Sequence, residues 1–249
     1  MAAPASFDDA LKAVAEVDGW MSDGQARRLW DRASTLSRGA RIVEIGSFRG
    51  RSTTVLALAA ADGVEIVAID PHAGNDRGPQ EIEGYADEAA QDHEVFHANL
   101  ERAGVDDRVR HVRRFSQAAL GEVDGDVDLL YIDGAHRYAP ASEDIRVWGG
   151  RVAPGGTLLI HDSFSCVGVT LAIVRLLAFG FRFRYVGRVG SLAEYRCELV
   201  SRRDRMRNAA RQLAELPWFV RNVVIKVLLV ARLGPLTRLL GHRTSDWPY

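Results

Sequence analysis

Two short stretches pair acids with histidines at a spacing that suits chemistry: Asp133-Gly-Ala-His136 and His161-Asp162-Ser163. Each directly follows a strand-forming apolar run, Asp126-Val-Asp-Leu-Leu-Tyr-Ile132 in one case and Thr157-Leu-Leu-Ile160 in the other. Open parallel sheets bind ligands past the carboxyl ends of their strands, so acids at two neighbouring strand ends converge on one point. Two carboxylates without a basic neighbour repel unless a cation joins them, and hard oxygen ligands suit Mg2+. A histidine beside them, with an ordinary pKa of about 6.5, takes up a proton near neutral pH.

A third stretch, Arg41-Ile-Val-Glu-Ile-Gly-Ser-Phe-Arg-Gly-Arg-Ser-Thr53, opens as a strand, turns on Gly46 and Gly50, and enters a helical segment over 52–61. A strand that ends in a glycine turn and feeds a helix presents backbone N–H groups to a ligand and lets the chain approach it closely. Asp70, at the end of Val64-Glu-Ile-Val-Ala-Ile, follows about one strand–helix–strand unit later, where an acid takes two ribose hydroxyls. A dinucleotide fingerprint needs G-x-G-x-x-G, and Ser47 stands where its middle glycine would be. Glu44, two residues before the turn, suits a cationic ligand better than a phosphate, which disfavours a nicotinamide-dependent oxidoreductase.

These motifs need an α/β frame to bring them together. Strand patterns at 41–45, 64–69, 108–112, 126–132 and 157–160 alternate with helical ones, which predicts a parallel sheet. The segments 181–189 and 192–200, joined at Gly190-Ser191, predict a closing antiparallel hairpin. Before the sheet, helices are expected over 7–17 and 23–36, the second capped by Ser22. Trp20 and Trp30 are expected as packing residues on the sheet or a partner subunit. The stretch 73–92, rich in glycine, proline and acids, reads as a flap over the site. His72, just past Asp70, is open to two readings, an adenine contact or a turn residue.

The pattern E-x-G-x-x-x-G followed by an acid at the second strand end resembles the class I S-adenosylmethionine (SAM) methyltransferases. That resemblance implies a Rossmann-like seven-stranded sheet in the order 3-2-1-4-5-7-6. It also implies cofactor contacts from Glu44, Gly46, Ser47, Ser52, Asp70, Ser116 and Asp133, with Ser116-Gln117 at the adenine amine. The D-G-x-H stretch with the acid at the fifth strand end is similar to the metal-dependent O-methyltransferases that act on sugars of macrolide antibiotics or on polysaccharides. Carried over by position, Asp133 and Asp162 are ligands of Mg2+ or Mn2+ and His136 is the general base. Relatives often carry Glu-Asp where this chain has His161-Asp162, so the third ligand is open: His161 binds directly, leaves its place to water, or points into the core. The implied acceptor is a saccharide hydroxyl, with actinobacterial methylmannose polysaccharide synthesis as one setting. A catechol-like hydroxyl would use the same metal logic with aromatic walls, for which Tyr85, Tyr138 and Trp148 are candidates. A non-catalytic SAM-binding regulator is the reading outside enzymes.

With 249 residues, 47% hydrophobic and 26% charged, the chain has the composition and length of one large globular domain. A formal net charge of −1 excludes a global field for nucleic acid. Three parts are expected: helices over 1–38, a cofactor-binding core over 39–201, and a helical tail over 202–249. The tail holds 10 Arg/Lys against 3 Asp/Glu. Its apolar segment 219–233, broken by Arg221, Lys226 and Arg232, is too short and too charged to span a bilayer. Dimerisation is the leading reading of the tail, packing on its own domain the second, and peripheral membrane contact the third. Cys166 and Cys197 show no metal or pairing spacing and read as reduced thiols of a cytoplasmic protein.

Overall fold

The structure is a computed structural model that describes residues 6–73 and 86–244. Seven strands form one sheet: β1 (Arg41–Ile45), β2 (Glu65–Ile69), β3 (Val109–Val112), β4 (Val127–Ile132), β5 (Val152–Ile160), β6 (Phe183–Val189) and β7 (Leu192–Cys197). Their order is β3-β2-β1-β4-β5-β7-β6, as the resemblance implies. The first five run parallel, while β7 is antiparallel to both β5 and β6.

Strand side chains alternate between faces, and both faces of this sheet are covered. Val43, Ile45, Leu158 and Ile160 join one apolar core, whereas Ile42 and Leu159 join the other. Helices α5 (Tyr138–Val147) and α6 (Val167–Ile173) cover the first face. The second is covered by α2 (Asp23–Ala33), α3 (Arg51–Ala59) and the inward side of α4 (Ala86–Arg102), through Leu29, Leu56, Phe96 and Leu100. Such double coverage is why the central strands read as nearly continuous apolar runs.

Several boundaries differ from expectation. Helix α1 covers Phe7–Ala13 and then gives way to turns that bury Val17. The Ser22 cap is present, as one half of a capping box with Gln25. Helix α4 begins at Ala86, inside the stretch expected as a flap, because Ala-Asp-Glu-Ala-Ala-Gln is a run with good helix formers. The rest of the expected flap, 74–85, lies outside the described residues. Trp20 is 56% exposed and stacks on Phe48 of the glycine loop, with ring centroids 5.5 Å apart, instead of packing on the sheet. Trp30 packs edge-on against Phe7.

The tail folds back on its own domain as α7 (Arg202–Leu213) and α8 (Leu216–Val230). Asn208 accepts from Tyr185 N–H at 2.8 Å and donates to Phe183 C=O at 3.0 Å, so α7 caps the outer edge of β6. Trp218 and Phe219 pack on the sheet core, and the Arg188 guanidinium lies 3.7 Å from the Trp218 ring. Pro217, expected as a boundary, sits in the first turn of α8, where its missing N–H costs nothing. Val220, Val224, Val227 and Val230 on α8 remain exposed. Among the described residues, no helix is long and apolar enough to cross a membrane.

Candidate active site

The parallel strands end in register. Asp133 N–H donates to Ile45 C=O at 2.8 Å, Gly46 N–H to Ile69 C=O at 2.9 Å, and His161 N–H to Ile132 C=O at 2.9 Å. This ladder brings the ends of β1, β2, β4 and β5 to one edge. Gly46 has a φ of 84°, and a Cβ there would fall 2.3 Å from the Asp133 carbonyl oxygen. Only glycine permits this approach of the β1 loop to the β4 end.

Asp70 organises the glycine loop. Its Oδ2 accepts from the N–H groups of Ser47 and Phe48, both at 2.9 Å, and its Oδ1 accepts from His72 N–H at 2.8 Å. Glu44 is fully buried and accepts from the hydroxyls of Ser52 and Thr53, the latter at 2.5 Å. Burial drives its pKa up to about 8 against the pull of those two donors, and the charges of Asp133 and Asp70 push the same way. Ser52 is thus tied to Glu44 at the start of α3. Ser116 makes contacts of its own, its hydroxyl donating to Asp144 Oδ1 at 2.5 Å and its carbonyl accepting from Trp148 at 3.1 Å.

Asp133, His136, His161 and Asp162 meet. His136 Nε2 is 2.8 Å from Asp162 Oδ2, and His161 Nδ1 is 3.0 Å from Asp133 Oδ1 and 3.4 Å from Asp162 Oδ2. Asp133, His136 and Asp162 each offer a ligand atom within 4.8 Å of the others, as a cation site requires. His161 is only 3% exposed, yet neither ring nitrogen makes an aligned hydrogen bond. The ring is buried, and it lies against the two carboxylates.

The charges are coupled. Burial pulls the His136 imidazole down, but the hydrogen bond and charge of Asp162, with the charge of Asp133, outweigh it and raise its pKa. Burial likewise opposes protonation of His161, and the two aspartates reverse it. For Asp162, burial raises the pKa while His161 and His136 together carry it well below the usual carboxylate range.

Two supports were missed in the sequence. Tyr131 O–H donates to Asp133 Oδ2 at 2.7 Å, orienting that carboxylate. The signal was its place two residues before Asp133, on the same side of the strand. Gly168, in the first turn of α6, lies so close to the start of α5 that a Cβ would fall 2.2 Å from His136 C=O. Nothing local in the sequence reveals that approach.

Residues 43–163, which hold all of these groups but Gly168, match the family described as methyltransferase domain. An uncharacterised protein of Sinorhizobium fredii, y4gI, is 30% identical to it over 129 residues. The match covers 51% of this chain and 13% of that protein, so the chain spans a small part of its relative's length. The chain has the fold of an O-methyltransferase from Bacillus cereus, solved with S-adenosylhomocysteine. The TM-score is 0.53 at 20% identity, covering 76% of this chain and 90% of that one. The O-methyltransferase TomG of Streptomyces achromogenes, involved in tomaymycin synthesis and solved with SAM, is alike at a TM-score of 0.55. It shares 20% identity, over 78% of this chain and 89% of its own. These likenesses show the fold, a seven-stranded Rossmann-like sheet shared with both O-methyltransferases.

Proposed function

We propose that the chain is a SAM-dependent O-methyltransferase assisted by Mg2+ or Mn2+, with His136 as general base and a saccharide hydroxyl as acceptor. One observation carries this reading: acids from two adjacent strand ends meet around a buried histidine, beside the glycine loop. The donor set fits a divalent cation. Asp133 Oδ1 and Asp162 Oδ2 face one another across His161, whose buried nitrogens lack aligned partners. An imidazole among the donors makes Mn2+ at least as suitable as Mg2+.

The loop after β1 would hold the cofactor, with Asp70 bracing the Ser47 and Phe48 amides. SAM when bound supplies a methyl on a good leaving group, so the protein's task is to present an aligned, deprotonated oxygen. A divalent ion on Asp133 and Asp162 would lower the pKa of the acceptor hydroxyl. His136, whose Nε2–H donates to Asp162, would take the hydroxyl proton on Nδ1, and Asp162 would stabilise the imidazolium that results. Tyr131 keeps the Asp133 carboxylate in place throughout.

A catechol-like acceptor is less well supported by the walls of the site. Of the aromatic candidates, Trp148 is buried with its N–H on Ser116, and Tyr85 lies outside the described residues. Tyr138 is exposed, at 40%.

The test is transfer of labelled methyl from SAM to a panel of oligosaccharides and catechols, with metal-stripped and metal-restored protein. Methylation of sugars that stops in EDTA and returns with Mg2+ or Mn2+ is expected. Unchanged turnover in EDTA would leave the carboxylates without a metal role, and catechols alone as substrates would overturn the acceptor.

A further inference from the structure

A second cluster of potential ligands lies at the other end of this edge, past β2 and β3. His72 follows Asp70 by two residues, His111 stands on β3, and His93 projects from α4. Their rings form a nearly equilateral triangle, with centroids 5.4 Å apart for His72 and His93, 5.0 Å for His72 and His111, and 5.2 Å for His93 and His111. One ring nitrogen from each lies within 4.8 Å of the other two. Phe96 closes one side, 4.8 Å from the His111 ring and 5.6 Å from that of His72.

Two of these histidines carry unsatisfied nitrogens. His72 is 5% exposed; its Nε2 lies 2.7 Å from Phe48 C=O, while its buried Nδ1 has no partner. A carbonyl accepts only from a protonated ring nitrogen, so Nε2 carries the proton and Nδ1 keeps a free lone pair. That is the second-sphere arrangement of a metal-binding histidine. His111 Nε2 is likewise buried without a partner. An orphaned buried acceptor destabilises the fold, which packing alone would not require, since an apolar side chain fills the same space.

Burial and the neighbouring imidazoles His72, His93 and His97 push the pKa of His111 down to about 3. Burial, Arg113, His72 and His97 also lower His93, against Glu94. Burial and charge thus favour the neutral, ligating form of His111 and His93. His93-Glu-Val-Phe-His97 has the i, i+4 spacing by which a helix offers two histidines to zinc. Here, however, His97 Nδ1 turns 2.8 Å to Asp106, and His72 and His111 take the places beside His93.

We propose that His72, His93 and His111 form a tris-imidazole site for a zinc-class divalent cation that pins α4 to the end of β2, separate from the carboxylate cluster at Asp133. Three neutral nitrogens and no carboxylate select Zn2+, Co2+ or Ni2+ over Mg2+. Tetrahedral zinc, with Zn–N of about 2.0–2.1 Å, spaces its nitrogens about 3.3 Å apart, so the site closes by up to about 1.5 Å on loading. Its fourth position is left for water. Since His72 N–H donates to Asp70, the ion would also brace the acid that holds the glycine loop.

The full chain, stripped of metal, is titrated with Co2+ as a spectroscopic probe. One equivalent is expected to give the intense visible band of tetrahedral cobalt, abolished by equimolar Zn2+ and untouched by excess Mg2+. His93→Gln, at a half-buried position on α4, should lose the band, whereas Asp133→Asn with Asp162→Asn should keep it. Persistence of the band in His93→Gln, its loss in the aspartate variant, or no band in the folded wild-type chain would each overturn the site. If His93→Gln folds poorly, imidazole 15N shifts of the aspartate variant give the same answer: Zn2+ must move three histidine signals, and none moving refutes it.

Discussion

The His136 imidazole is hydrogen-bonded to Asp162, Nε2 to Oδ2 at 2.8 Å, so the proposed base and the proposed metal carboxylate are direct neighbours. Replacing the base should separate binding from chemistry. His136→Gln is expected to lower kcat by about 10²–10⁴-fold, the usual contribution of a positioned acid–base group. SAM affinity, measured by calorimetry, should stay within a few-fold of wild type. Full turnover in the variant would remove His136 as base.

The same pair has a pH signature. The His136 pKa is raised in the folded protein, so its stabilising contact with Asp162 is fully present below the unfolded value of about 6.5 and is lost as pH rises through the folded value. An NMR titration of the metal-free chain should place the His136 midpoint above 6.5, and Asp162→Asn should move it downward. An unmoved midpoint would show that Asp162 does not govern it.

The Glu44 carboxyl is shifted upward, opposite to the usual shift of a paired carboxylate. Its folded pKa of about 8 lies above the unfolded 4.5, so the folded state holds the extra proton between these values. Stability contributed by this group therefore falls as pH rises from about 4.5 to 8, in total by a few kcal/mol at most. Glu44→Gln should flatten that slope in denaturant melts taken from pH 5 to pH 8. Parallel pH profiles for the two proteins would contradict the raised pKa.

Gly168 positions His136 without touching a reactant. Gly168→Ala puts a Cβ 2.2 Å from His136 C=O, so the His136 backbone must shift. A displacement of the order of 1 Å costs about 10²-fold in rate. The expected result is a fall in kcat with SAM binding retained, which a general loss of folding would not give.

At the outer edge, Asn208 satisfies both Tyr185 N–H and Phe183 C=O. Asn208→Ala leaves two buried backbone groups unpaired and should cost about 1–3 kcal/mol for each group stranded. A chemical denaturation midpoint unchanged by the substitution would mean that the tail does not support β6.

The order of the elements and the place of each acid were legible in the sequence, because they depend on local rules. Alternation and apolar runs marked the strands, Ser22 marked a cap, and Gly46 marked the turn that a helix follows. Asp133 and Asp162 were legible as strand-end residues, since a parallel sheet gathers such ends whatever the details of packing.

Only the tertiary structure decided what these groups touch. That Asp70 grips the Ser47 and Phe48 amides, that Ser116 faces Asp144, and that His161 lies between two carboxylates all depend on contacts between strands. So does the meeting of His72, His93 and His111, drawn from a loop, a helix and a strand. Sequence spacing sets direction along one element, but the distance between elements is set by how their side chains pack, and no local pattern carries it.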